Sequence, residues 1–543
     1  MSAMTYPQFT DFNEALQNPH TAFTDAELQN AQADTNPLGL PVALGGGFTY
    51  TYPMTTPRRK VAVRCFHRQV PSAERRYDAI SKKLGALASP HFVNFDYQPK
   101  GIKIRGSGYP IVRMEWVNGD TLDVFLQRRA KNASVIDSLR AQFRAMALAL
   151  QRAGIAHGDI QNLNVIVVGT ELRLIDYDGM YVPPMQTGGG EEVGHPHWQH
   201  PQRSQRDFGP NMDRFSFIVV DVSLRALIAD PALHGRFNEG GETIIFKAND
   251  YADPSSSEIF RILKAKPELQ SAANNLERIC GAPISQVPTL EDFLAGNNIP
   301  VASVRTAPAL GRVEGKPKQA AYISAYPVVD AADFSKAVKN VGNRVELVGR
   351  IIDFKYDIGK RGRGKGKPYV FLNFGPWKSN IVKLTFWSDG LVNMINKPEQ
   401  SWVGRWVSVT GLIDAPYTSR RYNYTHVGIT VTADGQVQFI TEADANYRLG
   451  RASAPTQQNN RDVLRNLGAA MRPATPKRLP GVQPTPAPNA VQTNRDILNA
   501  IRRAPGTPPA GRGYSSPTPS TPPKGNGWAR VVGIIHRALQ YLS

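Results

Sequence analysis

Cysteine is nearly absent from this 543-residue sequence, which contains only Cys65 and Cys280. Two thiols cannot build a disulfide scaffold or supply the four ligands of a structural zinc site, so the sequence excludes both of those classes. The scarcity of cysteine also favours the reducing cytoplasm as the compartment.

Long apolar runs are missing as well. No uninterrupted apolar segment approaches the roughly 20 residues that a transmembrane helix needs. A signal peptide has a basic stretch followed by an apolar block. Residues 1–12 contain no such pattern. We therefore expect a cytoplasmic protein with neither a signal peptide nor integral membrane association.

Acidic residues become scarce toward the C-terminus, where the basic excess lies. The formal net charge of +19 divides into +2 for residues 1–340, +6 for residues 341–450 and +11 for residues 451–543. Because clustered positive charge attracts polyanions, we expect an anionic partner such as nucleic acid in the C-terminal two-fifths.

Composition divides the chain into segments. A Pro-, Gly- and Ala-rich stretch over residues 301–321 predicts a linker, and 14 prolines in residues 451–527 predict a disordered basic tail. The helical spacing of apolar residues in 528–543 predicts an amphipathic helix that docks on a protein partner or on the body of the protein. Transient contact with a membrane surface is the less favoured alternative. The predicted segments are 1–36 (N-terminal extension), 37–300 (first domain), 301–340 (linker), 341–450 (second domain), 451–527 (disordered Pro-rich tail) and 528–543 (C-terminal amphipathic helix).

The most informative stretch runs from Ile155 to Pro183, with the sequence IAHGDIQNLNVIVVGTELRLIDYDGMYVP. It places Asp159, then Asn164 five residues later, then two strand-like segments that end at Asp176. Phosphoryl transfer requires a carboxylate that orients the attacking hydroxyl and oxygen ligands that hold a metal ion on the nucleotide phosphates. Each residue alone could be an ordinary turn residue of a hairpin. Their order and spacing favour the phosphoryl-transfer interpretation.

This stretch resembles the catalytic and metal-binding loops of the protein-kinase-like superfamily, where His-x-Asp-x-x-x-x-Asn precedes a hairpin that ends in a metal-binding Asp. It is most similar to a bacterial group with His-Gly-Asp and Asp-Tyr-Asp-Gly signatures, over roughly residues 37–235. The resemblance implies a bilobal domain that uses ATP and Mg²⁺ (or Mn²⁺) to phosphorylate a protein substrate on Ser or Thr. It implies a catalytic set in which Asp159 orients the hydroxyl, while Asn164 and Asp176 also bind the metal.

Glycines and a strand upstream extend the resemblance. Gly45, Gly46 and Gly47 lie between two strand-like segments, where they would let backbone N–H groups approach phosphate, or would form a flexible turn. The strand Val61-Ala62-Val63-Arg64 is similar to the kinase strand Val-Ala-Ile-Lys. The resemblance therefore implies that Ala62 and Arg64 contact the nucleotide.

Two further elements match the same pattern. The helical spacing over Ser72–Leu87 predicts a helix, with Glu74 as the candidate partner of Arg64 or as a solvated first-turn carboxylate. Residues 114–117 resemble the hinge between the two lobes. The resemblance thus implies that Glu115 and Val117 contact the nucleotide through their backbone.

Three positions depart from the kinase pattern. Gly158 replaces an Arg that reads activation-loop phosphorylation in many kinases, Gln161 stands where a Lys is usual, and Arg64 replaces the nucleotide-pairing Lys. Arg and Lys are not interchangeable at phosphate, and losing one cationic donor costs on the order of 10²–10³ in rate. The alternatives are a pseudokinase that senses nucleotide and recruits single-stranded nucleic acid or a protein, and a small-molecule phosphotransferase.

Residues 194–201 resemble the peptide-positioning end of an activation segment, and Asp213 resembles the buried Asp that opens a long helix of the larger lobe. His195, His197 and His200 lie in this stretch. Prolines interrupt it and the spacing does not suit a helical ligand pair, so structural histidines are favoured over metal ligands.

Residues 341–442 show short strand-like segments with Gly-rich breaks, which is typical of a small barrel, and they resemble an OB-fold. A cationic loop over residues 355–367 and a basic–aromatic cluster over residues 420–424 could bind single-stranded nucleic acid. Protein docking is the rival, because alternation points about half of the strand aromatics inward. The predicted strands are Arg344–Ile352, Tyr369–Phe374, Val382–Trp387, Trp406–Leu412 and Val437–Ile440. The candidate stacking residues are Tyr369, Phe371, Trp377, Phe386 and Trp387.

The predicted fold class is therefore α+β. We expect a bilobal protein-kinase-like domain, a small all-β OB-fold-like barrel and a disordered Pro-rich tail, in that order along the chain.

Overall fold

The computed structural model describes residues 6–45, 48–70, 72–301, 321–360, 364–394, 396–419, 421–433 and 435–451. The predicted disordered tail and C-terminal helix lie outside these residues. All described residues belong to one compact unit. None of the helices within these ranges is long and apolar enough to cross a membrane.

Helices and strands are both abundant and occur in separate runs along the chain, which confirms the α+β class. The helices are α1 (Phe9–Ala15), α2 (Pro19–Ala22), α3 (Ala26–Gln29), α4 (Ala73–Leu87), α5 (Leu122–Arg129), α6 (Ala133–Ala153), α7 (Arg214–Ala229), α8 (Ala232–Phe237), α9 (Ala248–Ala252), α10 (Glu258–Lys264), α11 (Pro267–Gly281), α12 (Leu290–Ala295), α13 (Phe334–Lys339), α14 (Ser388–Asn393) and α15 (Glu442–Arg448). The strands are β1 (Gln32–Ala33), β2 (Leu44–Gly45), β3 (Thr49–Thr55), β4 (Lys60–Phe66), β5 (Phe95–Ile104), β6 (Ser107–Glu115), β7 (Asp120–Thr121), β8 (Val165–Val168), β9 (Glu171–Leu174), β10 (Val328–Asp330), β11 (Arg344–Arg350), β12 (Asp353–Ile358), β13 (Pro368–Asn373), β14 (Ile381–Phe386), β15 (Trp406–Leu412), β16 (Tyr417–Ser419), β17 (Tyr424–Thr430) and β18 (Val437–Ile440).

The N-terminal sheet has the strand order β1-β3-β4-β6-β5, with β2 paired to β3. Strand β4 lies between β3 and β6 and pairs antiparallel with both. Its residues from Val61 to Phe66 are all buried, as expected for a central strand covered on both faces. Arg64 is therefore carried into the interior by its strand.

Helices α1 to α3 cover one face of this sheet, so residues 6–36 are part of its core and not a separate extension. Phe9, Phe12 and Phe23 are buried in one apolar cluster with sheet residues. The Tyr52 hydroxyl of β3 donates to the Asn13 amide oxygen over 3.0 Å. The boundary predicted at residue 37 has no counterpart, because apolar side chains before it bury against β3 and β4.

The helical region follows, over residues 118–301. Asn132 caps the N-terminus of helix α6, where its side chain accepts the Val135 N–H. Gly154 caps the C-terminus and adopts φ = +66°. Helix α7 is buried over most of its length and packs against α6. The small sheet β7-β8-β9 lies beside these helices. Residues 155–164 connect α6 to β8, so the candidate catalytic stretch is held between a long helix and a hairpin.

The C-terminal β region, residues 321–451, contains two sheets in the described ranges. Their orders are β10-β11-β15-β18 and β12-β13-β14-β17-β16, and one apolar core lies between them. Strands β15 and β18 have the predicted bounds. Strand β10 lies inside the predicted linker 301–340 and pairs parallel with β11, so this region begins before residue 341. Strands β12, β16 and β17 were not predicted.

Buried ion pairs join the helical region to the C-terminal β region. Glu239 contacts Lys247 at 2.8 Å and Arg448 of α15 at 3.0 Å, and Arg448 also contacts Glu346 of β11 at 2.8 Å. Burial alone would raise the pKa of Glu239, but Lys247 and Arg448 hold it at about 2. The interface thus depends on a charged carboxylate.

This interface predicts a specific acid response. A carboxylate whose pKa is depressed on folding stabilises the fold above its unfolded pKa and loses that contribution as the pH falls through its folded pKa. We expect Glu239→Gln to lower the free energy of unfolding at neutral pH. The difference from wild type should shrink between pH 4.5 and pH 2, as measured by urea unfolding at several pH values. The exposed Glu268→Gln is the control, and a Glu239→Gln difference that is independent of pH would contradict the assignment.

Candidate functional site

A cavity opens between the N-terminal sheet and the β8–β9 hairpin. It collects several of the residues that the sequence singled out, including the hinge residues Glu115 and Val117. The lining residues are Thr51, Ala62, Arg64, Met114, Glu115, Trp116, Val117, Ile166, Ile175 and Asp176. Gly45 ends β2 opposite Tyr50, whereas Gly46 and Gly47 lie outside the described residues. The predicted nucleotide contacts at strand β4 and the hinge therefore share one cavity with Asp176.

The loop that carries Asp159 is anchored by Asp213, the residue before α7. The carboxylate of Asp213 accepts the backbone N–H groups of His157 and Gly158 at 2.5 and 2.8 Å. Gly158 has φ = +86°, and a Cβ there would lie 2.4 Å from the carbonyl oxygen of Gly179. The arginine found in many kinases cannot be accommodated at this position without moving backbone.

The Asp159 carboxylate is fixed from both sides. Its Oδ1 accepts the His195 backbone N–H at 2.7 Å. Its Oδ2 accepts the Gln161 amide at 2.6 Å and the Asn164 amide at 2.9 Å. Burial raises the pKa of Asp159, although these hydrogen bonds act in the opposite direction. The arrangement holds one carboxylate in a defined orientation with raised basicity, which is what a proton acceptor requires.

Asn164 has the free oxygen that a metal ligand needs. Its side-chain nitrogen also donates to the Asp159 backbone carbonyl at 3.0 Å, and its backbone carbonyl accepts the Ile175 N–H at 3.0 Å. Its side-chain oxygen is buried and has no hydrogen-bond partner among the described residues. No group of three or more His, Cys, Asp or Glu side chains in those residues is arranged around a metal. A cation at Asn164 and Asp176 would therefore need further oxygen ligands, such as phosphate.

Arg64 makes two ion pairs within this cavity. Its guanidinium lies 2.5 Å from Asp176 and 2.6 Å from Asp178, and only 5% of its side chain is exposed. Glu74 is exposed on α4, so the predicted Arg64–Glu74 pair is wrong. Asp178 takes that place, because the residues after β9 turn back toward β4 while Glu74 points to solvent.

Asp178 and Glu192 were not predicted from the sequence. Asp178 also accepts the Tyr77 hydroxyl, and its backbone carbonyl accepts the Arg76 guanidinium of α4. Burial, together with the charges of Asp178 and Asp176, raises the pKa of Glu192 well above its usual value. The Asp-Tyr-Asp spacing could have revealed Asp178, since it lies two residues after Asp176. Glu192 gives no such local signal.

The three histidines of the segment 194–201 each have a separate partner. His195 Nε2 lies 3.0 Å from Glu242, His197 Nδ1 accepts the Ala248 N–H at 3.2 Å, and His200 Nε2 lies 3.0 Å from the Ile279 carbonyl. Burial lowers the pKa of His197 to about 3. These contacts tie the segment to the helical region.

A second candidate site lies on the C-terminal β region, where aromatic rings stack in sequence. Tyr424 stacks on Tyr422 with 6.2 Å between centroids and on His426 with 4.2 Å, and Trp377 meets Tyr422 edge-on at 5.7 Å. Trp377 and Tyr422 are 43% and 45% exposed. We call Trp377, Tyr422, Tyr424 and His426 the aromatic ladder.

Cations flank the aromatic ladder. Lys378 lies 5.3 Å from the Trp377 ring centroid and Arg421 lies 5.2 Å from that of Tyr422. In the predicted cationic loop, Lys355, Lys360, Lys365 and Lys367 are exposed. The remaining predicted cations Arg361, Arg363 and Arg420 lie outside the described residues. The exposed Trp377 and Tyr422 rings, Lys378 and Arg421 form one surface that suits an extended polyanion. The register of β12, β13, β14 and β17 places the cationic loop at the opposite end of this sheet.

The other predicted stacking residues differ in exposure. Phe386 is fully buried in the core between the two sheets, so it cannot stack on a base. Tyr369, Phe371 and Trp387 are half-buried and contact one another, with the Lys383 ammonium 3.7 Å from the Phe371 ring. Alternation along β13 and β14 separates these residues from the core.

Comparisons with known proteins do not assign the chain to a family. No protein-family model matches the chain, and no curated protein matches it significantly.

The Arg64 ion pairs predict a large cost for their removal. Arg64→Ala leaves Asp176 and Asp178 buried without their cation, and we expect the free energy of unfolding to fall by about 3–5 kcal/mol. The buried pairing gives Arg64 a structural role beside the nucleotide contact that the resemblance implies. The control is Lys82→Ala, whose partner Asp78 is mostly exposed, so its removal should cost less than about 1 kcal/mol. Equal costs in chemical denaturation would contradict the buried pairing.

Proposed function

We propose that the protein is an ATP-dependent phosphotransferase of the protein-kinase-like type that acts on Ser or Thr of a protein substrate. In this proposal the N-terminal sheet and α4 form the smaller lobe, and the helical region forms the larger one. The observation that carries it is the cavity that joins Ala62, Arg64 and the hinge to Asp176. Asn164 bonds to Ile175, the neighbour of Asp176.

Each residue has a distinct task in this proposal. The oriented Asp159 carboxylate accepts the proton of the substrate hydroxyl, and its raised pKa favours that acceptance. The unpaired Asn164 oxygen and the Asp176 carboxylate would hold Mg²⁺ or Mn²⁺. When bound, that ion neutralises charge on the nucleotide phosphates. Gln161 supplies a neutral donor to Asp159 in place of the usual lysine.

Arg64 can remain in the cavity while Asp176 binds metal, because it has two carboxylate partners. When Asp176 turns to a cation, Asp178 still neutralises the guanidinium at 2.6 Å. Arg64 then presents its remaining N–H donors to phosphate, which suits a planar guanidinium. Asp178 thus supports Arg64 as a helix glutamate supports the lysine in many kinases.

The second candidate is a nucleotide-sensing pseudokinase. The Arg64–Asp176 contact of 2.5 Å favours it, because this ion pair competes with metal for the same carboxylate. A small-molecule phosphotransferase is the third candidate and is distinguished by its acceptor.

Point variants test the catalytic assignment. We expect Asp159→Asn to lower phosphate transfer by about 10²–10⁴ with ATP affinity retained, because it removes only the proton acceptor. Asp176→Asn should abolish metal-dependent ATP binding. Transfer is measured with labelled ATP and Mg²⁺ or Mn²⁺ followed by mapping of phosphorylated residues, and binding by titration of a fluorescent ATP analogue.

The matched control is Asp137→Asn, since Asp137 is exposed on α6 with 68% of its side chain accessible. Equal transfer by wild type and Asp159→Asn would reject the catalytic role. Metal-dependent binding without transfer to any acceptor would establish the pseudokinase, and label on a small molecule alone would establish the third candidate.

We further propose that the C-terminal β region is an OB-fold-like barrel whose aromatic ladder binds single-stranded nucleic acid. The supporting observation is the pair of exposed rings Trp377 and Tyr422, each with a cation close to it. Bases stack on such rings with little sequence preference. Protein docking is the rival function of this surface.

The aromatic ladder predicts a measurable loss of affinity. In the full chain, Trp377→Ala should weaken binding of a fluorescent single-stranded oligonucleotide by about 1–3 kcal/mol if a base stacks on the ring. Replacing Lys360, Lys365 and Lys367 with Ser should flatten the log–log salt dependence by about 0.7 per lost phosphate contact. The control is Phe439→Ala on the other sheet, where the ring is 38% exposed and lies 3.3 Å from the Arg405 guanidinium. Equal affinity of the Trp377→Ala and Phe439→Ala variants would favour protein docking.

A further inference from the structure

A continuous set of buried hydrogen bonds links strand β11 of the C-terminal β region to Asp159. Arg344 Nη2 donates to Glu242 Oε1 over 2.9 Å, and Glu242 Oε2 lies 3.0 Å from His195 Nε2. The His195 backbone N–H donates to Asp159 Oδ1 over 2.7 Å. We call these four residues the His195 network.

The tautomer of His195 follows from its partners. Its Nδ1 accepts the backbone N–H of His197 at 3.2 Å, so the proton of the neutral ring is on Nε2 and is donated to Glu242. The Trp198 indole N–H donates to the Glu242 backbone carbonyl at 2.9 Å. The segment that contains His195 is thus held to Glu242 by two side chains.

Glu242 is charged in this network because Arg344 is present. Burial alone would raise the pKa of Glu242, but Arg344 and His195 hold it at about 2. The side chains of Arg344 and Glu242 are each only 6% exposed. Without the guanidinium, a buried carboxylate would have to lose its charge or move toward water. Either change weakens its bond to His195.

The segment around His195 packs closely against the Asp159 loop. Gly194 adopts φ = +84°, and a Cβ there would lie 2.5 Å from the Gly158 carbonyl and 3.1 Å from Asp159 Oδ1. The Gln199 amide donates to the same Gly158 carbonyl at 3.1 Å. A displacement of His195 therefore changes the hydrogen bond that orients Asp159.

We propose that Arg344 is a positioning residue for phosphate transfer: through Glu242 and His195 it holds Asp159 in the orientation that accepts the substrate proton. The inference rests on the proposed function. Arg344 does not line the cavity at β4 and the hinge, so it acts on the transfer step and not on ATP binding. The C-terminal β region is then a working part of the active site as well as a binding surface.

Kinetics of Arg344 variants in the full chain test this assignment. Arg344→Gln should lower kcat on the order of 10-fold to 100-fold, as expected for a misplaced reacting group, and leave KM for ATP unchanged. Arg344→Lys retains a cation at Glu242 and should restore part of kcat.

The matched control is Arg448→Gln. Arg448 is a buried arginine of the same interface that contacts Glu239 and Glu346 but has no bond within the His195 network. We expect this variant to lose stability while kcat is retained. Equal losses of kcat in Arg344→Gln and Arg448→Gln, or no rescue by Arg344→Lys, would overturn the proposal and indicate a purely structural interface.

Hydrogen exchange provides a readout that does not need activity. Arg344→Gln should speed amide exchange in the peptide that contains His195 relative to peptides elsewhere in the fold, while Arg448→Gln should leave that ratio unchanged. Wild-type exchange there in Arg344→Gln would overturn the proposal. An inactive wild-type protein with altered exchange in Arg344→Gln would instead reject the phosphotransferase and retain the link between Arg344 and the Asp159 loop.

Discussion

The geometry of the cleft depends on one buried guanidinium shared by two carboxylates. Asp176 and Asp178 lie two residues apart and would repel each other in a site of low polarity. Arg64 neutralises both and comes from the central strand of the N-terminal sheet. Since Asp178 also bonds to Arg76 and Tyr77, the same cluster positions α4. The sheet, the helix and the loop after β9 are therefore fixed by shared charges.

The structure gives a physical reason for two residues, Gly158 and Gln161, that depart from the kinase pattern. Gly158 is required by the close approach of the Gly179 carbonyl, and its N–H bonds to Asp213. Gln161 gives a neutral donor to Asp159, which leaves the carboxylate without a neighbouring cation at that position. Burial raises the pKa of Asp159, and the hydrogen bonds from His195 and Gln161 act in the opposite direction. The positive charge that Gln161 does not supply beside Asp159 is present in the cavity at Arg64.

Local patterns predicted much of this structure. Hydrophobic periodicity gave the extent of α4 to within one residue and the bounds of β15 and β18. The sequence predicted that Asp159 and Asn164 act together, and their side chains are hydrogen-bonded at 2.9 Å. Strand β16 has only three residues, too few to show a period. Strand β12 alternates polar and apolar residues over Asp353–Ile358, so it carries the pattern of a half-buried strand although it was not predicted.

Contacts between residues that are far apart in the chain could not be predicted from local sequence patterns. The partner of Arg64 is 112 residues away and that of Arg344 is 102 residues away, and neither is specified by a local pattern. Glu74 satisfied a family expectation, but the orientation of α4 decides whether it faces Arg64. The segment of helices α1 to α3 buries Phe9, Phe12 and Phe23, although the sequence predicted only an N-terminal extension there. Their partner surface on β3 and β4 could be recognised only in three dimensions.

Because the charges around the Asp159 loop are buried, the geometry of the loop depends on every partner of each ion pair being present. Removing one partner of a buried pair leaves an uncompensated charge, so such clusters tend to be either complete or rearranged. Asp159 receives hydrogen bonds from its own loop and from His195, and His195 is held by Glu242. Under the proposed role of Arg344, a ligand that separates β11 from Glu242 alters Asp159 without entering the cleft. The aromatic ladder belongs to the same C-terminal β region as Arg344, which places a binding surface and a positioning residue in one folded element.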